Sequence, residues 1–216
     1  MTRFSELMAK QTLLPIIQAQ STKQGVQIAQ AMADAGLTLV EVVLRTEASL
    51  AALTAIKQEV PQLKVGAGTV IDARILNQAL QAGADFIVTP ATSKTLLTEL
   101  ASCGVPVLPG VSNTGDILLA YEHGYSEMKL FPASLSGGVP FLQAVSSVFQ
   151  SVRFCPTGGV NQQNMQDYLS LSNVFAVGGT WVAPAKWVEQ GNWQAITAAC
   201  YQALNRQGAE MTHSVT

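Results

Sequence analysis

Residues 37–45 read LTLVEVVLR. With the two-residue period of a strand, Val40, Val42 and Leu44 fall on one face, and Leu39, Glu41, Val43 and Arg45 on the other. The first face suits packing under helices. The second is also apolar except for one carboxylate and one guanidinium. A strand greasy on both faces belongs in a parallel sheet covered by helices. Seven similar runs flank it: LLPII from Leu13, KVGAGTV from Lys64, FIVTP from Phe86, PVLPGV from Pro106, YSEMKLFPA from Tyr125, RFCPTGGV from Arg153 and NVFAVGGT from Asn173. Each gap leaves room for one helix and two short loops. Gly36, Gly83, Gly104 and Gly124 stand just before strands, where a left-handed residue closes a helix. Asp72, Ser93 and Asn161 stand where the following helices need a side-chain cap.

Eight alternating β and α units imply parallel strands with right-handed crossovers. Eight such strands close most naturally into a barrel, and 216 residues is compact for one. An open doubly wound sheet needs a glycine-rich phosphate turn after the first strand, and IIQAQSTKQG (16–25) lacks it. The expected fold is α/β, a single-domain (β/α)₈ TIM barrel over 1–216. C-terminal helices are expected from about residue 184 and a frayed tail from about residue 208.

Composition agrees: 48% hydrophobic, 12% charged, with mean hydropathy +0.26. The net charge of −2 holds no basic cluster, which argues against nucleic-acid binding. MTRFSELMAKQ has no apolar secretion core, and no apolar run is long enough to cross a membrane. Cys103, Cys155 and Cys200 are scattered and odd in number, and read as small core hydrophobes in a reducing compartment. The expected location is the cytoplasm. His123 stands at a helix end and His213 in the tail, with no clustered carboxylates, so no metal site is expected. Trp181, Trp187 and Trp193 are expected to pack the C-terminal helices or a contact between subunits.

Catalytic groups of a barrel sit at the carboxyl ends of its strands. Glu41 and Arg45, four residues apart on one strand face, lie roughly 13 Å from each other and cannot pair directly. They either meet neighbouring charges or serve a ligand. In YSEMKLFPA, Glu127, Lys129 and Phe131 share one face. A lysine facing an apolar interior is costly to keep charged, and a neutral amine is what attacks a ketone. The alternative is a lysine that points outward or simply neutralises Glu127, which has no evident chemical task. The GAG of KVGAGTV permits close approach of substrate or of neighbouring strands, and Thr69 at its end can donate into a pocket. Thr157-Gly158-Gly159 and Gly178-Gly179-Thr180 end the seventh and eighth runs. There barrels commonly cradle phosphate with backbone N–H groups.

Taken in order, EVVLRT (41–46), VGAGTV (65–70), VTPATS (88–93), PVLPGVS (106–112), MKLFPA (128–133), FCPTGGV (154–160) and VGGTW (177–181) resemble the 2-keto-3-deoxy-6-phosphogluconate / 4-hydroxy-2-oxoglutarate aldolase family. The resemblance covers nearly the whole chain. It implies a homotrimeric barrel that needs no cofactor or metal and acts on a small 2-oxo acid or phosphosugar acid. Lys129 matches the Schiff-base lysine, and Glu41 the general acid/base that moves protons through a water. Arg45, Thr69 and Pro90 match positions holding the pyruvyl end. Gly158, Gly159, Gly179 and Thr180 match the phosphate end, and Thr157 the substrate hydroxyls. The implied products are pyruvate with glyceraldehyde 3-phosphate, or pyruvate with glyoxylate. The chain departs from the pattern at Gln18 and Gln20, neutral where a cation would attract phosphate, and at Thr180, where serine is expected. A phosphogalactonate-type aldolase, a non-covalent isomerase or epimerase on the same barrel, and a non-catalytic binding module are the competing readings.

Overall fold

The computed structural model describes residues 3–205. The elements follow in the order α1 (Phe4–Met8), β1 (Leu13–Ile17), α2 (Thr22–Asp34), β2 (Leu39–Val43), α3 (Ser49–Glu59), β3 (Lys64–Gly68), α4 (Ala73–Gln81), β4 (Ile87–Val88), α5 (Lys94–Ala101), β5 (Val107–Leu108) and β6 (Gly110–Val111). Then come α6 (Thr114–Glu122), β7 (Glu127–Leu130), α7 (Gly138–Ser146), β8 (Arg153–Phe154), α8 (Met165–Leu169), β9 (Val177–Gly179), α9 (Ala185–Glu189) and α10 (Trp193–Asn205). All named strand pairs are parallel. Six strands form one curled sheet in the order β5-β4-β3-β2-β1-β9, and three form a second, β6-β7-β8.

The expected barrel of eight strands in one closed ladder is therefore corrected: nine strands lie in two sheets. Proline explains both seams. Pro109 splits PVLPGV into β5 and β6 because it has no N–H to give the ladder. Around it, Gly110 N–H turns to the Thr89 hydroxyl at 2.9 Å, and the Pro109 carbonyl accepts from Lys129 N–H at 2.8 Å. At the other seam Pro156 interrupts the run after β8. Only the isolated bridges Phe154–Val174 and Thr157–Gly178 cross to the β9 side, with Gly178 N–H donating to Pro156 O at 2.9 Å.

Most of the helix-end signals named from the sequence hold. Asp72 and Ser93 accept from Ile75 N–H and Leu96 N–H, and Ser21 and Asn113 cap α2 and α6 in the same way. Gly36, Gly83, Gly104 and Gly124 all have φ between 79° and 91°, the left-handed closure expected of them. Asn161 departs from expectation. Its Oδ1 accepts from Gln163 and Asn164 N–H and so holds a turn, and the helix itself starts a turn later at Met165. The C-terminal helices are the short α9 and the longer α10, and the tail from about residue 208 lies outside the described residues. Among the described residues no helix is long and apolar enough to cross a membrane.

Two cores result from the alternation. Val40, Val42, Met128 and Leu130 join the large cluster between strands and helices, with Ile28, Leu53, Ile56 and Leu97. Leu14, Leu39, Phe86, Val88, Leu108, Cys155, Phe175 and Ala176 form a second cluster on the inner side of the curled sheets. Phe4 and Met8 of α1, both 1% exposed, close that cluster from below. Burying two such side chains stabilises the fold by roughly 1.5–3 kcal/mol each. Gln11, between α1 and β1, ties this end together: its amide donates to Leu13 O and Leu39 O and accepts from Thr38 N–H.

Candidate active site

Glu41 and Lys129 face the enclosed side, as the two-residue period requires. They sit on strands of different sheets, yet Lys129 Nζ lies 3.2 Å from Glu41 Oε1, so the pair spans the interior. Lys129 has 5% of its side chain exposed and Glu41 none. The room for the carboxylate comes from β3: a Cβ on Gly68 would overlap Glu41 Oε1, and one on Gly66 would overlap the Phe86 ring. The GAG motif thus admits two side chains, that of Glu41 from the neighbouring strand β2 and that of Phe86 just before β4. Phe131 places its ring centroid 5.3 Å from the amine.

This pair is a poor device for stability. Desolvating two ions offsets most of their attraction, and a hydrophobic pair of similar volume is often as stable or more so. Glu41 Oε2 is buried and has no hydrogen-bond partner among the described residues. A buried carboxylate oxygen with no protein partner is costly, and such costs cluster where chemistry needs them. The arrangement can hand a proton between amine and carboxylate while the second oxygen serves a water or a substrate hydroxyl.

Cys155, a core hydrophobe by its sequence, is fully buried in the inner cluster, alongside Leu39 and Leu108. Burial pushes its thiol up to about 12, an effect that the Lys129 charge opposes. Its place was legible from the period of RFCPT. Thr89 was also missed: it is 0% exposed and bridges Ala91 O and Gly110 N–H.

The remaining expected residues gather at the carboxyl ends of the strands. Arg45, exposed just beyond β2, donates from Nε to Thr69 Oγ1 at 3.1 Å. Thr69, just past β3, has φ of 64°, a strained conformation for a β-branched residue and one associated with functional sites. Pro90 follows β4 and is half-buried. Thr157 is 3% exposed, with Oγ1 3.4 Å from Cys155 O. Gly158 and Gly159 have φ of 91° and 82°, and a Cβ on Gly159 would overlap the Ser134 side chain. Gly179 ends β9 against the Trp181 ring, and Thr180 beyond it is exposed. Gln18 and Gln20 are exposed after β1, and Gln20 N–H donates to Gln24 Oε1. Among the described residues no group of three or more His, Cys, Asp or Glu could hold a metal ion.

Glu127 does not neutralise Lys129. Its carboxylate turns to the opposite end of the strands, where Oε2 accepts from Ser5 N–H at 2.8 Å and Oε1 from Ser5 Oγ–H at 2.6 Å.

Comparison with known proteins supplies an independent line. The family model for KDPG and KHG aldolase matches residues 4–199. A 2-dehydro-3-deoxy-phosphogluconate aldolase of Pseudomonas aeruginosa is 42% identical over 211 residues, covering 98% of this chain and 96% of its own. A KHG/KDPG aldolase of Escherichia coli is 38% identical over 199 residues, with 92% of each chain covered. Among solved structures, KDPG aldolase from Legionella pneumophila, with pyruvate captured at low pH as a covalent carbinolamine intermediate, matches with a TM-score of 0.89 at 35% identity. That match covers 93% of this chain and 97% of the other. A buried amine–carboxylate pair between parallel strands and a likeness running nearly end to end point the same way, and the chain belongs to the KDPG and KHG aldolase family.

Proposed function

We propose that this chain is a class I aldolase that cleaves 2-keto-3-deoxy-6-phosphogluconate to pyruvate and glyceraldehyde 3-phosphate, 4-hydroxy-2-oxoglutarate to pyruvate and glyoxylate, or both. The observation that carries the reading is the Lys129–Glu41 contact of 3.2 Å between two buried groups. Lys129 Nζ gives its proton to Glu41 and attacks the C2 carbonyl of the substrate. Glu41 gives that proton to the carbinolamine hydroxyl, which leaves as water, so a protonated imine forms and Glu41 is a carboxylate again. Glu41, directly or through a water on Oε2, then takes the proton of the C4 hydroxyl. The C3–C4 electron pair flows into the imine, the aldehyde leaves, and an enamine of pyruvate remains. Protonation at C3 and hydrolysis release pyruvate and return the amine.

Arg45 and Thr69, already hydrogen-bonded to each other, hold the pyruvyl carboxylate, with Pro90 forming the adjacent wall. Thr157 meets the substrate hydroxyls. Gly158, Gly159, Gly179 and Thr180 offer backbone N–H groups and a hydroxyl to the phosphate. With Gln18 and Gln20 neutral, the phosphate is held by dipoles more than by charge. This reading carries a single-domain barrel, whose two sheets are joined by the Pro109 carbonyl and the Thr157–Gly178 bridge, and a cytoplasmic homotrimer. Light scattering on the purified chain checks the trimer.

A coupled pyruvate-release assay tests the activity with the gluconate-derived, galactonate-derived and oxoglutarate-derived substrates. Turnover of the first or third is expected, with Lys129→Ala lowering it at least ~10³-fold because covalent machinery fails as a unit. Wild-type protein that releases pyruvate from neither the gluconate-derived nor the oxoglutarate-derived substrate sinks the proposal.

A further inference from the structure

Beneath the Lys129–Glu41 pair the interior is closed by a piece of chain remote in sequence. Helix α1 has only five residues, FSELM, too few to be stable as an isolated helix. Its place is fixed by tertiary contacts. Phe4 stands edge-on to Phe86, with centroids 5.2 Å apart and planes at 87°, and lies 6.4 Å from the Phe175 ring. Met8 joins the same cluster, which also holds Cys155. The polar tie is Glu127, 6% exposed, accepting both the backbone N–H and the hydroxyl of Ser5 across 122 residues of sequence. Arg153 completes the tie from the neighbouring strand: Nη1 lies 4.0 Å from Glu127 Oε1, and the guanidinium covers the Phe175 ring at 5.5 Å. Solvent comes close on the outer side, where a cavity of about 310 Å³ is lined in part by Arg3, Phe4, Tyr125 and Glu127.

Glu127 thus shares a strand face with Lys129, two residues away, but is engaged at the far end of the strands. We propose that Glu127 is a positioning residue: by latching Ser5 it holds α1 as a stopper that keeps the interior beneath Lys129 and Glu41 dry. The consequence for chemistry follows from electrostatics, since the pair interacts more strongly and exchanges protons with a better-defined partner when water is excluded. Releasing the latch leaves the substrate-facing residues untouched, because they lie at the opposite ends of the strands. The kinetic consequence rests on the aldolase reading, whereas the sealing of the interior does not.

Cys155 supplies a reporter that needs no activity. It lies inside the sealed cluster, its thiol pushed up to about 12 by burial, and alkylation requires a thiolate that a reagent can reach. Cys200, buried on α10 in the other cluster, reports general loosening. The experiment is site-resolved labelling of the full chain with N-ethylmaleimide, read by peptide mass, for wild type, Glu127→Gln, Ser5→Ala and Ser5→Thr. Charge-assisted hydrogen bonds are among the stronger ones, so Glu127→Gln is expected to raise Cys155 labelling by about tenfold or more. Ser5→Ala is expected to raise it less, and Ser5→Thr, which keeps the hydroxyl, to stay near wild type. Cys200 labelling is expected to be unchanged in all of them. In parallel, Glu127→Gln is expected to lower kcat several-fold with KM within about twofold of wild type. If Glu127→Gln does not fold, Ser5→Ala decides, since it leaves the strand intact. Cys155 labelling that stays at the wild-type rate, or rises only in step with Cys200, overturns the seal. A Cys155 that opens while kcat holds overturns the positioning role. Wild type that releases no pyruvate defeats the aldolase reading alone and leaves the labelling result standing.

Discussion

Lys129 and Glu41 each make sense only in the presence of the other. A buried ion with its partner removed is far more costly than a buried pair, by roughly 3–5 kcal/mol, while an apolar pair of similar size is often neutral or stabilising. Lys129→Ala alone is therefore expected to lower stability through the stranded Glu41, and Lys129→Met with Glu41→Leu to restore it, both inactive. Urea unfolding measures this, and a double variant no more stable than Lys129→Ala contradicts it. Both residues were legible in the sequence because strand period alone sets facing, and EVVLR and EMKLF each alternate cleanly. Their contact was not legible, since it joins positions 88 apart on strands of different sheets. Glu127 was opaque for the same reason: its partner Ser5 lies in a segment too short to show a helical period.

At the scale of elements, end signals and strand ends behave differently. Asp72 and Ser93 each accept one N–H at the start of an outer helix, so Asp72→Ala and Ser93→Ala are expected to cost about 1 kcal/mol each. Neither touches the pair, so turnover is expected to hold. The glycine loop after β8 reverses that pattern. Gly159→Ala places a methyl against Ser134 at φ of 82°, which reshapes the loop proposed to hold phosphate. KM for the phosphorylated substrate is expected to rise about tenfold, the loss of one good hydrogen bond, with 4-hydroxy-2-oxoglutarate little affected. Equal effects on both substrates contradict the phosphate assignment. Strand order and helix caps were readable from local chemistry, with Asn161 displaced by one turn. The seams were not, because PVLPGV and RFCPTGGV look like continuous strands until Pro109 and Pro156 are asked for an N–H.

Across the whole molecule, burial links stability to alkaline pH. Cys155 and Cys200 are each pushed up to about 12 from 9.0, and Tyr125 to about 12 from 10.0, chiefly by desolvation. Each group's folded value is raised, so its contribution is intact below the unfolded value and lost as pH climbs toward the folded one. Stability is expected to decline from about pH 9 toward pH 12 and to decline less steeply in a Cys155→Ala, Cys200→Ala variant. Denaturant midpoints across that range check it, and identical slopes in the two proteins contradict it.

The proposed activity depends on a covalent bond between Lys129 and a 2-oxo acid. The most direct measurement is borohydride reduction of the wild-type protein with pyruvate, followed by peptide mass mapping. One reduced pyruvyl group per chain is expected, on Lys129, with none in Lys129→Ala. An unmodified Lys129 in protein that still releases pyruvate, or an adduct on a different lysine, would contradict it.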